Sequence, residues 1–332
     1  MLRFDPGEDR IRSARSFRVS EGGGEYNVAR NLAYAFQKRS GIVTALASNP
    51  VGRLAEELMR QGNVDVSQIL WRKTDGTSGT SRNGLYFMES GFGLRPPTGC
   101  SDRANTAASQ LKAGEIEWDA MFKDLGTRCF HTGGVFTALS NTTPDVAAEA
   151  MQVARDSGAL VSYDLNYRES LWDGRGGLPA ATRVNDRLLQ YADVVFGLPG
   201  FDASLSEYTR EAFAGAAAET MNRYPNLRLV ASTLRRTKSA SRHDVAGLCF
   251  AGGKVYESRV WNDVDVIDRV GSGDAFAAGF IFGVLEGNEV AEALEVAAVS
   301  SVLAMSTRGD YLNSTREEII RLVTSPNVTP FR

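Results

Sequence analysis

Short apolar blocks rich in β-branched residues alternate along the chain with stretches of helical periodicity. VTALA after Gly41, CFHTGG at 129–134, ALVSYDLN at 159–166, DVVFG at 193–197 and LRLVAST at 227–233 read as strands. Their nearly continuous apolar character suits strands covered on both faces. Helices are predicted between them at 51–62 and 143–158, the second with Thr143 as cap, Pro144 in the first turn and Gly158 as stop. Strands alternating with helices make βαβ units. The predicted fold is therefore α/β, a doubly wound sandwich with a mainly parallel central sheet, with residues 1–332 forming one domain. Ligands bind such sheets at the carboxyl ends of the strands, and HTGG, DLNYR, STLRR and GSGD all fall there.

The segment 71–103 breaks this rhythm. GTSGTSRNGLYFMESGFGLRPP sets turn residues around a short aromatic strand, which predicts a small β excursion or else a long surface loop. The apolar stretch 290–310 reads as a core helix whose last turns are available to wall a pocket. No internal repeat or low-complexity tract is present.

Composition narrows the chemistry. The 332 residues, 43% apolar and 23% charged, can bury a large core, and a net charge of -3 gives no electrostatic case for nucleic acid or an anionic membrane. A small ligand held by a local site is expected. Cys100, Cys129 and Cys249 are odd in number, far apart and without CxxC spacing, which argues against a disulfide framework or structural zinc. No apolar run approaches the roughly 20 residues of a membrane span. MLRFDPGEDRIR lacks a signal-peptide core, so the expected compartment is the reducing cytoplasm. His131 and His243 are too few for a histidine triad or a histidine-rich metal site and read as structural, with a ligand-lining role for His131 secondary.

The stretch 264–287, VDVIDRVGSGDAFAAGFIFGVLEG, carries the most chemistry. Gly271 and Gly273 let backbone N–H groups close on an anion, and the positive end of the following helix points at the same spot. Asp274 in the first helical turn is either a dipole partner or a base placed to take a proton from an attacking hydroxyl. At 20–33, SEGGGEYNVARNLA places three glycines before Asn27 and an apolar helix, by itself no more than a glycine-rich helix entry.

These stretches resemble the two signatures of the PfkB, or ribokinase-like, family of carbohydrate kinases. Asp268, Gly271, Gly273 and Asp274 match the C-terminal form Asp-Thr-x-Gly-Ala-Gly-Asp, while Ser272 replaces Ala and Arg269 and Val270 replace Thr-type positions. Gly23, Gly24, Asn27 and Ala29 match the N-terminal form Gly-Gly-x-x-x-Asn-x-Ala. The resemblance implies Asp274 as catalytic base, the backbone of Gly271, Ser272 and Gly273 as anion hole, and Gly23, Gly24 and Asn27 against sugar hydroxyls. It also implies ATP and Mg²⁺ as cofactors, a β lid formed from parts of 10–20 and 71–103, and a homodimer paired through the lids.

The strings LYF, SDRANTAAS, SYDLNYRESLW and STLRRTKSASRHD are similar to the 2-keto-3-deoxygluconate kinase branch, which implies Tyr86, Arg103 and Arg168 as substrate contacts. An acid sugar fits those arginines, because a guanidinium clamps a carboxylate with two charge-assisted hydrogen bonds. Ser101 stands where branch members often carry Tyr.

Two features depart from the family pattern. The Asn-x-x-Glu type motif is replaced by Leu198-Pro199-Gly200-Phe201, with Asp202 one position late. Asp164 and Asn166 are then candidates for phosphate or metal-bound water, with Thr233 and Arg235 on the nucleotide side and Arg236, Lys238 and Arg242 adding positive charge nearby. The chain also starts at Met1-Leu2-Arg3, inside what the family has as a first full strand. The expected function is ATP-dependent phosphorylation of 2-keto-3-deoxygluconate or a related acid sugar. Open beside it are a neutral-sugar kinase (fructose or ribose), a catalytically degenerate sensor of the same fold and, weakest, a dinucleotide-dependent oxidoreductase, since GSGD lacks the third glycine of that fingerprint.

Overall fold

In a computed structural model, which describes residues 1–74, 80–199 and 208–325, all five predicted apolar blocks are strands. The chain begins with β1 (Leu2–Asp5), β2 (Arg18–Glu21), α1 (Gly24–Tyr34), β3 (Thr44–Ala47), α2 (Pro50–Gln61), β4 (Ile69–Arg72), β5 (Leu85–Glu89) and β6 (Thr98–Asp102). The middle holds β7 (Cys129–Gly133), α3 (Gly134–Thr137), α4 (Thr143–Asp156), β8 (Leu160–Asp164), α5 (Glu169–Trp172), α6 (Gly177–Leu188), β9 (Val194–Phe196) and α7 (Arg210–Arg223). The chain then runs through β10 (Leu229–Ser239), β11 (Arg242–Ala251), β12 (Lys254–Glu257), β13 (Trp261–Asp265), α8 (Ser272–Glu286), α9 (Val290–Ala304) and α10 (Arg316–Thr324).

The main sheet has the order β12-β11-β10-β9-β8-β7, with β13 on β11; β7 through β10 run parallel and the hairpin strands β11 and β12 antiparallel. Along β9 the period of two sends Val195 into one core with Val161, Tyr163, Val230 and Met151 of α4. Val194 and Phe196 go to the opposite core, with Val28 of α1 and Phe276 and Phe280 of α8. Both faces are covered by helices, so the doubly wound α/β architecture holds.

Three local expectations change. The N-cap position of α4 is Thr142, not Thr143, and its side chain makes no capping bond; Thr143 lies in the first turn, its Oγ1 accepting from the Ser140 N–H at 3.2 Å. The β excursion is part of a separate four-stranded sheet, β2-β1-β5-β6, whereas Trp71 and Arg72 belong to β4, parallel to β3 in a two-stranded sheet of their own. Strand β1, expected inside the central sheet, instead pairs with β2 and β5 in the four-stranded one. Among the described residues no helix is long and apolar enough to cross a membrane.

Candidate active site

A cleft of about 1820 Å³ opens at the carboxyl ends of β7, β8 and β10, under the four-stranded sheet. His131, Asp164, Asn166, Arg168, Thr233, Arg235 and the turn Gly271–Asp274 all line it, so the four strand-end motifs do converge. Gly23, Gly24 and Asn27 enter from α1, and Tyr86, Ser101 and Arg103 from the four-stranded sheet.

The floor is the turn before α8. Gly271 has φ 78°, and a Cβ there would run into the carbonyl of Asp310, so both conformation and space require glycine. Gly273 faces open space, with nothing within 4 Å of a Cβ position. Among the described residues no partner takes the N–H groups of Gly271, Gly273 or Asp274, while that of Ser272 lies 3.4 Å from the Arg269 carbonyl. The cradle thus offers its free donors from the two glycines and Asp274 more than from Ser272.

Asp274 accepts a 2.6 Å hydrogen bond from the Asn27 amide, whose own oxygen accepts from the Gly23 N–H at 3.3 Å. Asn27 therefore links the two glycine motifs. Burial pushes the Asp274 carboxyl up to about 8; the bond from Asn27 opposes this, while Asp164, Asp310 and Glu25 push it further up. Asp164 is raised to about 6, chiefly by burial, with the Asn166 N–H and Arg168 pulling the other way. Asn166, at φ 27°, closes a turn on Asp164 with its N–H at 3.1 Å, so its amide is partly committed.

Opposite these carboxylates stand guanidinium groups. Arg103 and Arg168 form no ion pair among the described residues, and Arg103 Nε is buried without a partner. Burial and the neighbouring Arg168 both lower the Arg103 pKa, and burial, Arg269 and Arg168 lower that of Arg235. An anion bound among them would relieve this repulsion.

The structure revises several expectations. Residues 232–244 form a hairpin in which β10 continues to Ser239, so Arg235 and Thr237 face the cleft while Arg236 and Lys238 face away and reach Asp244 at 3.7 and 2.7 Å. Arg242 pairs with Asp265 at 3.0 Å. Lys238 and Arg242 are neutralised rather than lent to the cleft. The Tyr86 hydroxyl is not free either, since it donates to Asp310, leaving the ring as its contribution to the cleft wall. No residue of α9 lines the cleft. Asp202 and Gly200 fall outside the described residues.

Arg3 and Asp310 carried no recognisable signal. Arg3 is fully buried, pairing with Asp268 of the glycine motif and, at 2.6 Å, with Asp310. Asp268 in turn accepts from the Val270 N–H at 3.1 Å. The carboxylates of Asp268 and Asp310 thus brace the turn from below, and their pairing spans almost the whole chain.

A nucleotide-borne divalent cation takes most of its ligands from phosphate and water and needs only one or two protein carboxylates. Among the described residues no cluster of three or more His, Cys, Asp or Glu side chains has metal-holding geometry. Asp164, Asp274 and Glu25 nevertheless line the cleft with no ion pair among the described residues; Asp164 raises the pKa of both Asp274 and Glu25, and Glu25 adds to the rise at Asp274, a repulsion that a cation would relieve. The site fits a cation delivered with phosphate, not a protein-only cage.

The model of the pfkB family carbohydrate kinases matches residues 2–316. The chain belongs to this family. It is 28% identical to the 2-dehydro-3-deoxygalactonokinase of Haloferax volcanii over 97% of this chain and 94% of that one. To the 2-dehydro-3-deoxygluconokinase of Bacillus subtilis it is 26% identical, covering 90% and 85%. Among solved structures, the 2-dehydro-3-deoxygluconokinase of Thermotoga maritima superposes with a TM-score of 0.86 at 32% identity, covering 98% of this chain and 97% of that one. The protein is thus a carbohydrate kinase with the ribokinase-like α/β fold, and the sensor, oxidoreductase and neutral-sugar readings are not favoured.

Proposed function

We propose that the cleft transfers the terminal phosphoryl group of ATP to the terminal hydroxyl of 2-keto-3-deoxygluconate or a closely related acid sugar. The observation that carries this reading is the pair of unpaired guanidinium groups, Arg103 and Arg168, in the same cleft as the unpaired carboxylate of Asp274. A neutral sugar would offer the buried Arg103 Nε only an uncharged hydroxyl oxygen; a sugar carboxylate supplies a charged acceptor. Relatives named for 2-dehydro-3-deoxy acid sugars support the same substrate class.

Asp274 takes the proton of the attacking hydroxyl, and Asn27 holds its carboxylate in position. The free N–H groups at Gly271 and Gly273, with Ser272 between them, hold the charge that builds on the transferred group. Gly23, Gly24, Asn27 and the Tyr86 ring shape the sugar side; Thr233, Arg235 and Asn166 lie on the nucleotide side. Mg²⁺ arriving with the phosphates would neutralise their charge, and Asp164 and Asn166 would hold its water shell. We place the protein in the cytoplasm, where ATP is abundant. Two copies would pair through the four-stranded sheet, which ends in the fully exposed strand β6; sedimentation checks that pairing.

The test is ADP formation over a panel of acid and neutral sugars with ATP and Mg²⁺. Turnover of the acid sugars alone is expected, and Asp274→Ala should keep sugar binding while losing turnover. Preference for fructose or ribose would remove the acid-sugar reading. Unchanged ADP production in the variant would remove the base assignment, and binding without any ADP would point to a sensor.

A further inference from the structure

The sugar wall and the anion cradle lie on separate parts of the fold, and Asp310 touches both. Tyr86, whose ring lines the cleft, stands on β5 directly opposite Arg3 of β1, so both side chains leave the four-stranded sheet on the same face. There they meet the Asp310 carboxylate. The Tyr86 hydroxyl donates to Oδ2 and Arg3 Nη1 donates to Oδ1 at 2.6 Å. Each oxygen thus holds one side chain of the four-stranded sheet. Burial and the Asp310 charge push the Tyr86 pKa upward, which keeps its hydroxyl a donor.

The backbone of the same residue serves the cradle. The Asp310 carbonyl packs so closely on Gly271, where α8 begins, that a Cβ on that glycine would overlap it. Arg3 adds a second link, since its Nη2 pairs with Asp268, whose Oδ1 accepts from the N–H of Val270, the neighbour of Gly271. The loop carrying Asp310 is pinned from both sides. Upstream, the Met305 carbonyl accepts from the Ile267 N–H at 2.9 Å. Downstream, the Leu312 N–H donates to Asn31 Oδ1 of α1 at 2.8 Å, and the Arg30 guanidinium lies 3.2 Å over the Tyr311 ring centroid.

Gly22, in the first glycine-rich stretch, completes the junction. A Cβ there would sit 2.6 Å from both Asp310 Oδ2 and the Tyr86 hydroxyl, so no side chain can stand at that point without pushing them aside. Close-packed, hydrogen-bonded groups pass a displacement on instead of absorbing it. A ligand that orders one end of such a connection leaves less for a second ligand to order.

We propose that Asp310 is a positioning residue joining the two halves of the cleft, so that a sugar held against Tyr86 and a nucleotide held at the Gly271 cradle tighten each other's binding through the Tyr86–Asp310–Gly271 contact. This inference rests on the sugar and nucleotide sides assigned above.

Calorimetry tests it by measuring the dissociation constant of a non-hydrolysable ATP analogue with Mg²⁺, alone and with saturating 2-keto-3-deoxygluconate, in the parent, Tyr86→Phe and Gly22→Ala. The first variant keeps the ring and removes the hydroxyl; the second wedges a methyl group against the hydroxyl and the carboxylate. In the parent the sugar should tighten the analogue by at least about fivefold, and linkage requires the analogue to tighten the sugar by the same factor. In both variants the factor should fall below about twofold, whatever the affinity for each ligand alone. A loss of stability by itself would not remove that factor. A factor of one in the parent, or the full factor in either variant, would overturn the proposal. If 2-keto-3-deoxygluconate does not bind, the acid-sugar reading has failed instead, and the factor is measured with the sugar that the panel identifies.

Discussion

Replacing Asp274 with Asn separates what the carboxyl contributes to chemistry from what it costs the fold. In the folded chain burial holds its pKa near 8, against an ordinary 3.8. The folded state therefore keeps a proton that the unfolded state releases, and between those values stability falls as pH rises. The stabilising contribution is complete below about pH 4 and gone above about pH 8, a total on the order of 5 kcal/mol at about 1.4 kcal/mol per unit. Asn keeps the shape and can accept the bond from Asn27, but carries no proton to release. Calorimetry of the two proteins across this range should give equal stability near pH 4 and a variant more stable by several kcal/mol near pH 8.5, while turnover drops by roughly 10² to 10⁴-fold. Asp164 and Glu25 titrate in both proteins, so the difference curve reports Asp274 together with its coupling to those two carboxyls. Parallel stability curves for parent and variant would refute the burial argument, and retained turnover would refute the base.

Since Asp274 must be ionised to accept a proton, kcat/KM of the parent should climb with pH and level off near pH 8; a profile flat from pH 6 to 9 would contradict this. Gly271→Ala should be strongly destabilised, because a positive φ costs about 1–2 kcal/mol and the Cβ also strikes the Asp310 carbonyl; an unchanged melting temperature would show that the turn relaxes. Arg103→Ala and Arg168→Ala should each raise KM for the acid sugar by about tenfold or more, from the loss of about 1.5–3 kcal/mol of charged hydrogen bonding, with kcat little altered. Arg3→Met leaves Asp268 and Asp310 buried without their counter-charge and should cost about 3–5 kcal/mol in denaturant unfolding; a loss below about 1 kcal/mol would mean that the carboxyls simply take up protons.

Legibility followed the range of the forces involved. The block at 193–197 was readable as a strand because both of its faces are apolar, a property of neighbouring residues alone. The continuation of β10 through Arg235 and Arg236 to Ser239 was not, since its polar residues read as a basic loop until the partner β11 supplies the ladder and Asp244 the counter-charge. The assignment of Thr143 as cap missed by one residue, and the hydroxyl of Thr142, the residue at that position, donates to the Leu111 carbonyl 31 positions away instead of capping the helix.

By itself the sequence determined the alternating α/β order, the glycine turn with its adjacent carboxylate and the set of arginines at strand ends, because each rests on backbone conformation or residue type over a few positions. Only the tertiary structure decided which charges are spent and which are free: Arg3 closed on Asp268 and Asp310, Lys238 on Asp244, and Arg103 and Arg168 left without an ion pair among the described residues. It also decided that Asp274 sits where burial holds a proton on it. Pairing and desolvation depend on what lies within a few ångströms in space, and for Arg3 and Asp274 that neighbour comes from the far end of the chain.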